Sequence, residues 1–160
     1  MAKKYQKFKM LDKQQYAEVT RFLKERTHLT AREWAIARLC ADFRTTTNRA
    51  EMTWIGENLP DLVPFMNESY SRQAVAAAHS TFKDKVLRSG TTFFYAYYSG
   101  LISMEDMVDM VHQIAENIEH LLQVGEGKIS EDGVDVDVQL RVAEVLRQIT
   151  HNLQKGVSTS

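Results

Sequence analysis

The residues best suited to a chemical task stand at the start of a predicted helix, where Ser71, Arg72 and Gln73 follow one another. Arginine can donate two hydrogen bonds to guanine and glutamine can pair with adenine, so this turn could read bases in a DNA major groove. Small and polar residues further along would allow close approach, and basic residues would hold phosphates. The predicted DNA-binding residues are Thr53, Ser71, Arg72, Gln73, Ala76, Ser80, Lys83, Lys85 and Arg88.

Three consecutive predicted helices would position these residues in a helix-turn-helix-like trihelix. The segment Thr30-Ala31-Arg32-Glu33 is a capping box that starts the first of them. A short helix from about Glu51 to Leu59 follows, and Pro60 should end it because proline lacks the N–H of a helix interior. Ser71 caps a longer helix that we expect Gly90 to stop. In such domains the third helix enters the major groove.

Two features weigh against DNA binding. The linker from Pro60 to Tyr70 is longer than the tight turn of the usual motif, and the whole chain is slightly acidic. The alternative is a helical protein–protein interaction or adaptor module that binds no nucleic acid and catalyses nothing. Met104, Met107 and Met110 would supply its adaptable apolar surface, although such residues more often pack in a core.

The aromatic run from Thr91 to Tyr98 fits either a strand or a buried helix, and its apolar density without alternation favours the helix. Its rings, like those of Trp34 and Trp54, are expected to pack in or beside the core rather than stack on bases. A single-strand-binding platform would instead need those rings exposed on a basic sheet.

Two further helices are predicted after the aromatic run. Ser103 to Asp106 forms an acidic capping box that opens one of them. The last helix, from about Val134 to Gln154, carries apolar residues in near-heptad order, at Val138, Val142, Val145, Ile149 and Leu153. This stripe predicts a homodimer formed through the C-terminal helix.

The sequence gives little support for metal binding or catalysis. His112, Glu116 and Glu119 have the i, i+4 and i+7 spacing of metal ligands, but they lie almost opposite the apolar stripe of their helix, on the face expected to meet water. Cys40 falls inside an apolar stripe and is expected to be a small buried residue rather than a nucleophile. We therefore expect a non-enzymatic protein without metal or cofactor.

Composition and charge indicate the class of protein. The chain has 160 residues, one cysteine and no apolar run of membrane-spanning length, which favours a single cytoplasmic domain. Residues 1–90 carry 16 basic and 10 acidic side chains, whereas residues 91–160 carry 4 basic and 11 acidic ones. The expected fold is an all-α single-domain helical bundle, with a basic trihelix over residues 12–90 and acidic helices over residues 91–155.

The patterns from Thr30 to Cys40, from Ile55 to Pro60 and from Leu62 to Met66 resemble an uncharacterised archaeal protein family of methanogens and halophiles. The resemblance implies a cytoplasmic archaeal protein, and it implies no functional residues. Our leading hypothesis from the residues is a helix-turn-helix transcriptional regulator that binds double-stranded DNA, with the adaptor module as the alternative. The sequence does not decide between DNA, RNA and protein as the partner.

Overall fold

The computed structural model describes Tyr5, Phe8, residues 13–125, residues 140–148 and His151. The helices are α1 (Lys13–Arg26), α2 (Ala31–Asp42), α3 (Met52–Leu62), α4 (Arg72–Tyr98) and α5 (Met104–Gly125). Residues 140–148 are also helical. Since the described residues contain no β-strand, the predicted all-α fold is confirmed.

The chain divides into two compact units, Met1–Tyr98 and Ser99–Ser160. The first contains α1 to α4. Within it α4 packs on α2 and α3, and α2 also contacts α1 and α3. The second unit contains α5 and the helical residues 140–148.

The three predicted helix starts are confirmed. The Thr30 hydroxyl accepts a hydrogen bond from the Glu33 backbone N–H (3.1 Å), and the Glu33 carboxylate accepts one from the Thr30 N–H (3.0 Å). The hydroxyls of Ser71 and Ser103 each accept a 3.1 Å hydrogen bond from the backbone N–H three residues later. Each cap satisfies a backbone donor that the first helical turn leaves without a partner.

Apolar faces of all four helices and the linker after α3 form the core of the first unit. Its two tryptophans are half-buried and pack on other rings, Trp34 on Phe8 (5.3 Å) and Trp54 on Phe43 (4.8 Å), as predicted. Cys40 is buried, also as predicted. Besides Cys40, the fully buried side chains of this core include Phe8, Leu23, Ile36, Leu39, Ile55, Leu59, Leu62, Val63 and Val75.

The prediction that Pro60 ends the second trihelix helix is wrong, because α3 runs through Pro60 to Leu62. Proline at this position removes the N–H that would otherwise bond to the Gly56 carbonyl four residues earlier. The Gly56 oxygen instead accepts a hydrogen bond from the backbone N–H of Tyr70 (2.9 Å). The linker after α3 thus supplies the donor that the proline lacks.

The prediction that Gly90 stops the third trihelix helix is also wrong. Helix α4 continues to Tyr98, so the aromatic run is helical, as favoured. Glycine in a helix interior costs only about 0.5–1 kcal/mol relative to alanine, which a packed helix tolerates. Gly100 has the positive φ (72°) typical of a residue beyond a helix end, whereas the φ of Gly90 is not positive.

The expectation that the aromatic run packs in or beside the core is wrong for four of its rings. Phe94, Tyr95, Tyr97 and Tyr98 are exposed on α4, and Phe93 is half-buried. The core face of α4 is instead made by residues nearer its start, of which Val75 is fully buried.

Candidate nucleic-acid interface

Packing and one ion pair fix the position of α4 in the first unit. Its first half lies on α2 and α3, with Val75 buried beside them. The Lys85 ammonium donates to the Glu33 carboxylate at 2.6 Å and so ties α4 to the capped start of α2. Burial acts to raise the pKa of Glu33, but the hydrogen bonds from Lys85 and Thr30 outweigh it and hold this pKa below its usual value.

Four of the predicted DNA-binding residues lie on one exposed side of α4. At about 100° per residue, Arg72, Ala76, Ser80 and Lys83 fall within a sector of about 80°. Arg72, Ser80 and Lys83 are exposed and Ala76 is half-buried. Gln73 is exposed at the edge of this sector. We call these five residues the polar face of α4.

Two more predicted residues lie at the start of α4 and on the neighbouring helix α3. Ser71 caps α4, so its hydroxyl already accepts a backbone hydrogen bond. Thr53 is exposed in the first turn of α3.

The structure places the remaining two predicted residues away from the polar face. Lys85 lies on the side of α4 that meets α2, where its ammonium is bound by Glu33. Arg88 is exposed, but it lies more than a third of a turn around the helix from Lys83. A duplex docked on the polar face would not reach both of them.

The loop between α2 and α3 adds two bases that the sequence interpretation missed. Arg44 pairs with Ala50 in an isolated antiparallel bridge and donates to the Asn48 side chain at 3.0 Å. Asn48 has φ 64°, a left-handed conformation that asparagine tolerates, and the Arg49 N–H bonds to Thr45. Both arginines are exposed. The run of turn-forming residues between two arginines was the available signal for them.

Arg44 of the loop and Lys83 of the polar face affect the same two ionisable groups. Burial, Lys83 and Arg44 together lower the pKa of His79, which is half-buried on α4. Both cations also oppose the effect of burial, which raises the pKa of the Cys40 thiol. The loop arginine and the helix lysine therefore both act electrostatically on His79 and Cys40. Burial makes Cys40 a poor nucleophile at neutral pH.

A groove of about 920 Å³ opens elsewhere on the first unit. Tyr16 and Phe65 stack at its edge (4.3 Å), and the Arg32 guanidinium lies over the Tyr70 ring (5.4 Å). Alanines of α4 line one wall, and the lining residues include no cysteine, histidine, serine or lysine. These side chains can bind a ligand by stacking and hydrogen bonding.

The described part of the chain has neither a cluster of metal-ligand side chains nor a membrane-spanning helix. It contains no group of three histidine, cysteine, aspartate or glutamate side chains placed to hold a metal ion. None of its helices combines the length and apolar character needed to cross a bilayer.

The family model described as "Family of unknown function (DUF5806)" matches residues 7–155, and the chain belongs to this family. No curated protein and no solved structure matches the chain significantly. The resemblance to a family without assigned activity is thus confirmed, while the archaeal origin stays a prediction.

Proposed function

We propose that this protein binds double-stranded DNA as a non-enzymatic regulator of the helix-turn-helix type. The observation that carries the proposal is the exposed polar face of α4, together with the exposed arginines of the loop between α2 and α3. The cytoplasmic location predicted from the sequence is part of the same proposal.

The start of α4 has the chemistry needed to read bases. Arg72 and Gln73 are exposed in its first turn, and their side chains suit guanine and adenine in the major groove. Ala76, one turn further on, leaves room for the edge of a base pair. Because a helix N-terminus carries partial positive charge, it also favours a nearby phosphate.

Cations on both sides of this turn would hold the sugar–phosphate backbone. Arg44 and Arg49 lie in the loop between the first two trihelix helices, a loop that contacts the backbone in homeodomains. Lys83 lies on the polar face, and both Lys83 and Arg44 lower the pKa of His79. Contacts of this kind position the protein and carry no sequence information.

The long linker before α4 does not prevent this arrangement. The Tyr70 N–H bonds to the Gly56 carbonyl, so the end of the linker is held against α3 just before α4 begins. As a result α3 packs on α4 despite the intervening residues.

Salt-dependent binding to a short duplex tests the proposal. We expect the logarithm of the binding constant to fall linearly with the logarithm of salt concentration, by about 0.9 for each phosphate contact. The Arg72→Ala, Lys83→Ala double variant should bind more weakly and with a shallower slope, and Arg44→Ala should lose about one contact.

Arg88→Ala is the matched control, since Arg88 is an exposed base on another side of the same helix. It should leave affinity and slope nearly unchanged. A slope near zero for the wild type, or an equal loss from Arg88→Ala and from the double variant, would overturn the proposal.

A protein partner is the second candidate function, and exposed residues of α5 favour it. Met104, Val108 and Met110 are exposed in this helix, and flexible methionines suit adaptable interfaces. Affinity capture after nuclease digestion tests it. A partner retained by the wild type and lost by Met104→Ser, Val108→Ser would support an adaptor, whereas loss of every partner on digestion would exclude it.

A further inference from the structure

The C-terminal half of α4 exposes large apolar side chains and carries little charge. Leu87 is 67% exposed, Phe94 56% and Tyr98 93%. From Val86 to Tyr98 the sequence contains a single charged residue, Arg88. Monomeric proteins rarely expose a contiguous apolar patch above a few hundred Å², so this surface indicates a binding partner.

Four residues of this half form a regular seam. Leu87, Gly90, Phe94 and Tyr97 follow at intervals of three, four and three residues, which is the a/d spacing of paired helices. Arg88 lies about a third of a turn away from Phe94. We call the four residues the apolar seam of α4.

Gly90, in the middle of the seam, has no role within the described structure. A Cβ built on it would meet no atom within 4 Å, and its φ is not positive. Neither internal packing nor backbone conformation therefore requires glycine here, although glycine weakens a helix. An interior glycine of this kind commonly serves close approach by another group.

We propose that a second copy of this chain packs antiparallel on the apolar seam. In the a-to-d layers of such a pair, Phe94 of one copy lies over Gly90 of the other, and Leu87 lies against Tyr97. Each Phe94 ring fills the space that the missing Cβ of the opposite glycine leaves open. The arrangement is two-fold symmetric, so each copy makes the same contacts through the same residues.

The available area suits a weak dimer. Aromatic side chains bury roughly 150–250 Å² each. The exposed parts of the seam residues Leu87, Phe94 and Tyr97 and of the adjacent Tyr98 therefore provide about 500 Å² on each copy. Two copies together bury about 1,000 Å², the lower limit for a specific interface.

Charge favours this partner and this direction. The seam contains no charged group that could pair with an acidic or basic partner. The same seam on a second copy is also uncharged, so the two surfaces are compatible. A parallel pair would bring the two basic segments from Arg72 to Lys83 side by side, where they would repel one another. The antiparallel pair directs these segments away from each other and keeps the seam free of charge.

Sedimentation equilibrium of the full chain without DNA tests the inference. We expect a reversible dimer with a dissociation constant on the order of micromolar. Phe94→Glu should weaken it about 100-fold or more, because it would bury an unpaired carboxylate. Tyr95→Glu is the matched control, since Tyr95 is 64% exposed on the same turn but lies outside the seam.

The Gly90→Ala variant gives a second, independent test of the proposed dimer. The added methyl group should weaken the dimer by occupying the place of the Phe94 ring, while it should raise the thermal stability of the monomer. The wild type staying monomeric at high concentration would overturn the inference, as would unchanged dimerisation of Phe94→Glu or tighter dimerisation of Gly90→Ala.

The measurement needs no DNA, so it is independent of the proposed function. It also separates this surface from the dimer predicted through the C-terminal helix. In that helix Val145 is exposed, and Val138, Ile149 and Leu153 lie outside the described residues. A Val145→Glu variant that abolishes the dimer while Phe94→Glu leaves it intact would assign it to the C-terminal helix and overturn the inference.

Discussion

The same substitution, glycine to alanine, should have opposite effects at two positions of the first unit. A Cβ at Gly56 would overlap the backbone carbonyl oxygen of Tyr70, which is held in place by the bond between Tyr70 N–H and Gly56 O. A Cβ at Gly90 would meet nothing within 4 Å. Both glycines lie inside helices, so the gain in helix propensity is similar.

The magnitudes follow from these surroundings. Replacing an interior helical glycine by alanine gains about 0.5–1 kcal/mol, which is the whole expected effect at Gly90. At Gly56 the overlap costs about 1–3 kcal/mol. Weakening the hydrogen bond from Tyr70 costs about 0.5–1.5 kcal/mol more. We therefore expect Gly56→Ala to destabilise the protein by about 2 kcal/mol after the propensity gain.

Urea unfolding at low protein concentration, where the proposed dimer dissociates, measures both effects. Trp34 and Trp54 both belong to the first unit, so their fluorescence reports on its unfolding. Gly56→Ala should lower the midpoint and Gly90→Ala should raise it. Equal shifts of the same sign would refute the reasoning, since they would mean that the Tyr70 carbonyl moves aside at little cost.

Two further predictions concern ionisable groups of the first unit. Lys85→Met should destabilise the protein by about 1.5–3 kcal/mol, because it leaves the buried Glu33 carboxylate without its charged donor; urea midpoints within error of the wild type would contradict this. Burial, Lys83 and Arg44 lower the pKa of His79 in the folded protein, so the unfolded chain binds a proton at this residue at a higher pH than the folded chain does. The free energy of unfolding should therefore decrease as pH falls below about 6.5, the ordinary pKa of histidine. The decrease between pH 7 and 5 should be smaller for His79→Gln, and an equal decrease in both proteins would exclude this cause.

Local chemistry made the helix starts predictable. A hydroxyl at Thr30, Ser71 or Ser103 finds its backbone partner three residues along the chain, so the sequence contains both groups of each cap. The buried position of Cys40 was predictable for a similar reason, since its apolar neighbours recur at helical spacing.

The helix ends were less predictable because distant residues decide them. Pro60 breaks an isolated helix, but here the Tyr70 N–H takes the place of the missing donor. Gly90 was expected to stop α4, yet stopping requires a left-handed conformation, and that conformation occurs at Gly100 instead. Neither outcome could be read from the residues next to the proline or glycine.

The candidate site likewise has features that the sequence could predict and features that required the structure. Helical geometry alone separates Lys83 from Lys85, which are two residues apart and so lie on different sides of α4. The pairing of Lys85 with Glu33, 52 residues earlier, required the structure. So did the position of Arg44, because a loop has no fixed periodicity and its place relative to α4 depends on how α2 packs on that helix.

The two proposed surfaces use consecutive segments of one helix, and this makes a final prediction possible. The polar face ends at Lys83 and the apolar seam begins at Leu87, so a dimer would present two DNA-binding segments at once. Linked sites gain affinity only when a single duplex can engage both. Phe94→Glu should therefore leave binding to a short one-site duplex unchanged and weaken binding to a longer duplex about 10-fold or more. Equal affinities of Phe94→Glu and wild type for the longer duplex would show that the two surfaces act separately.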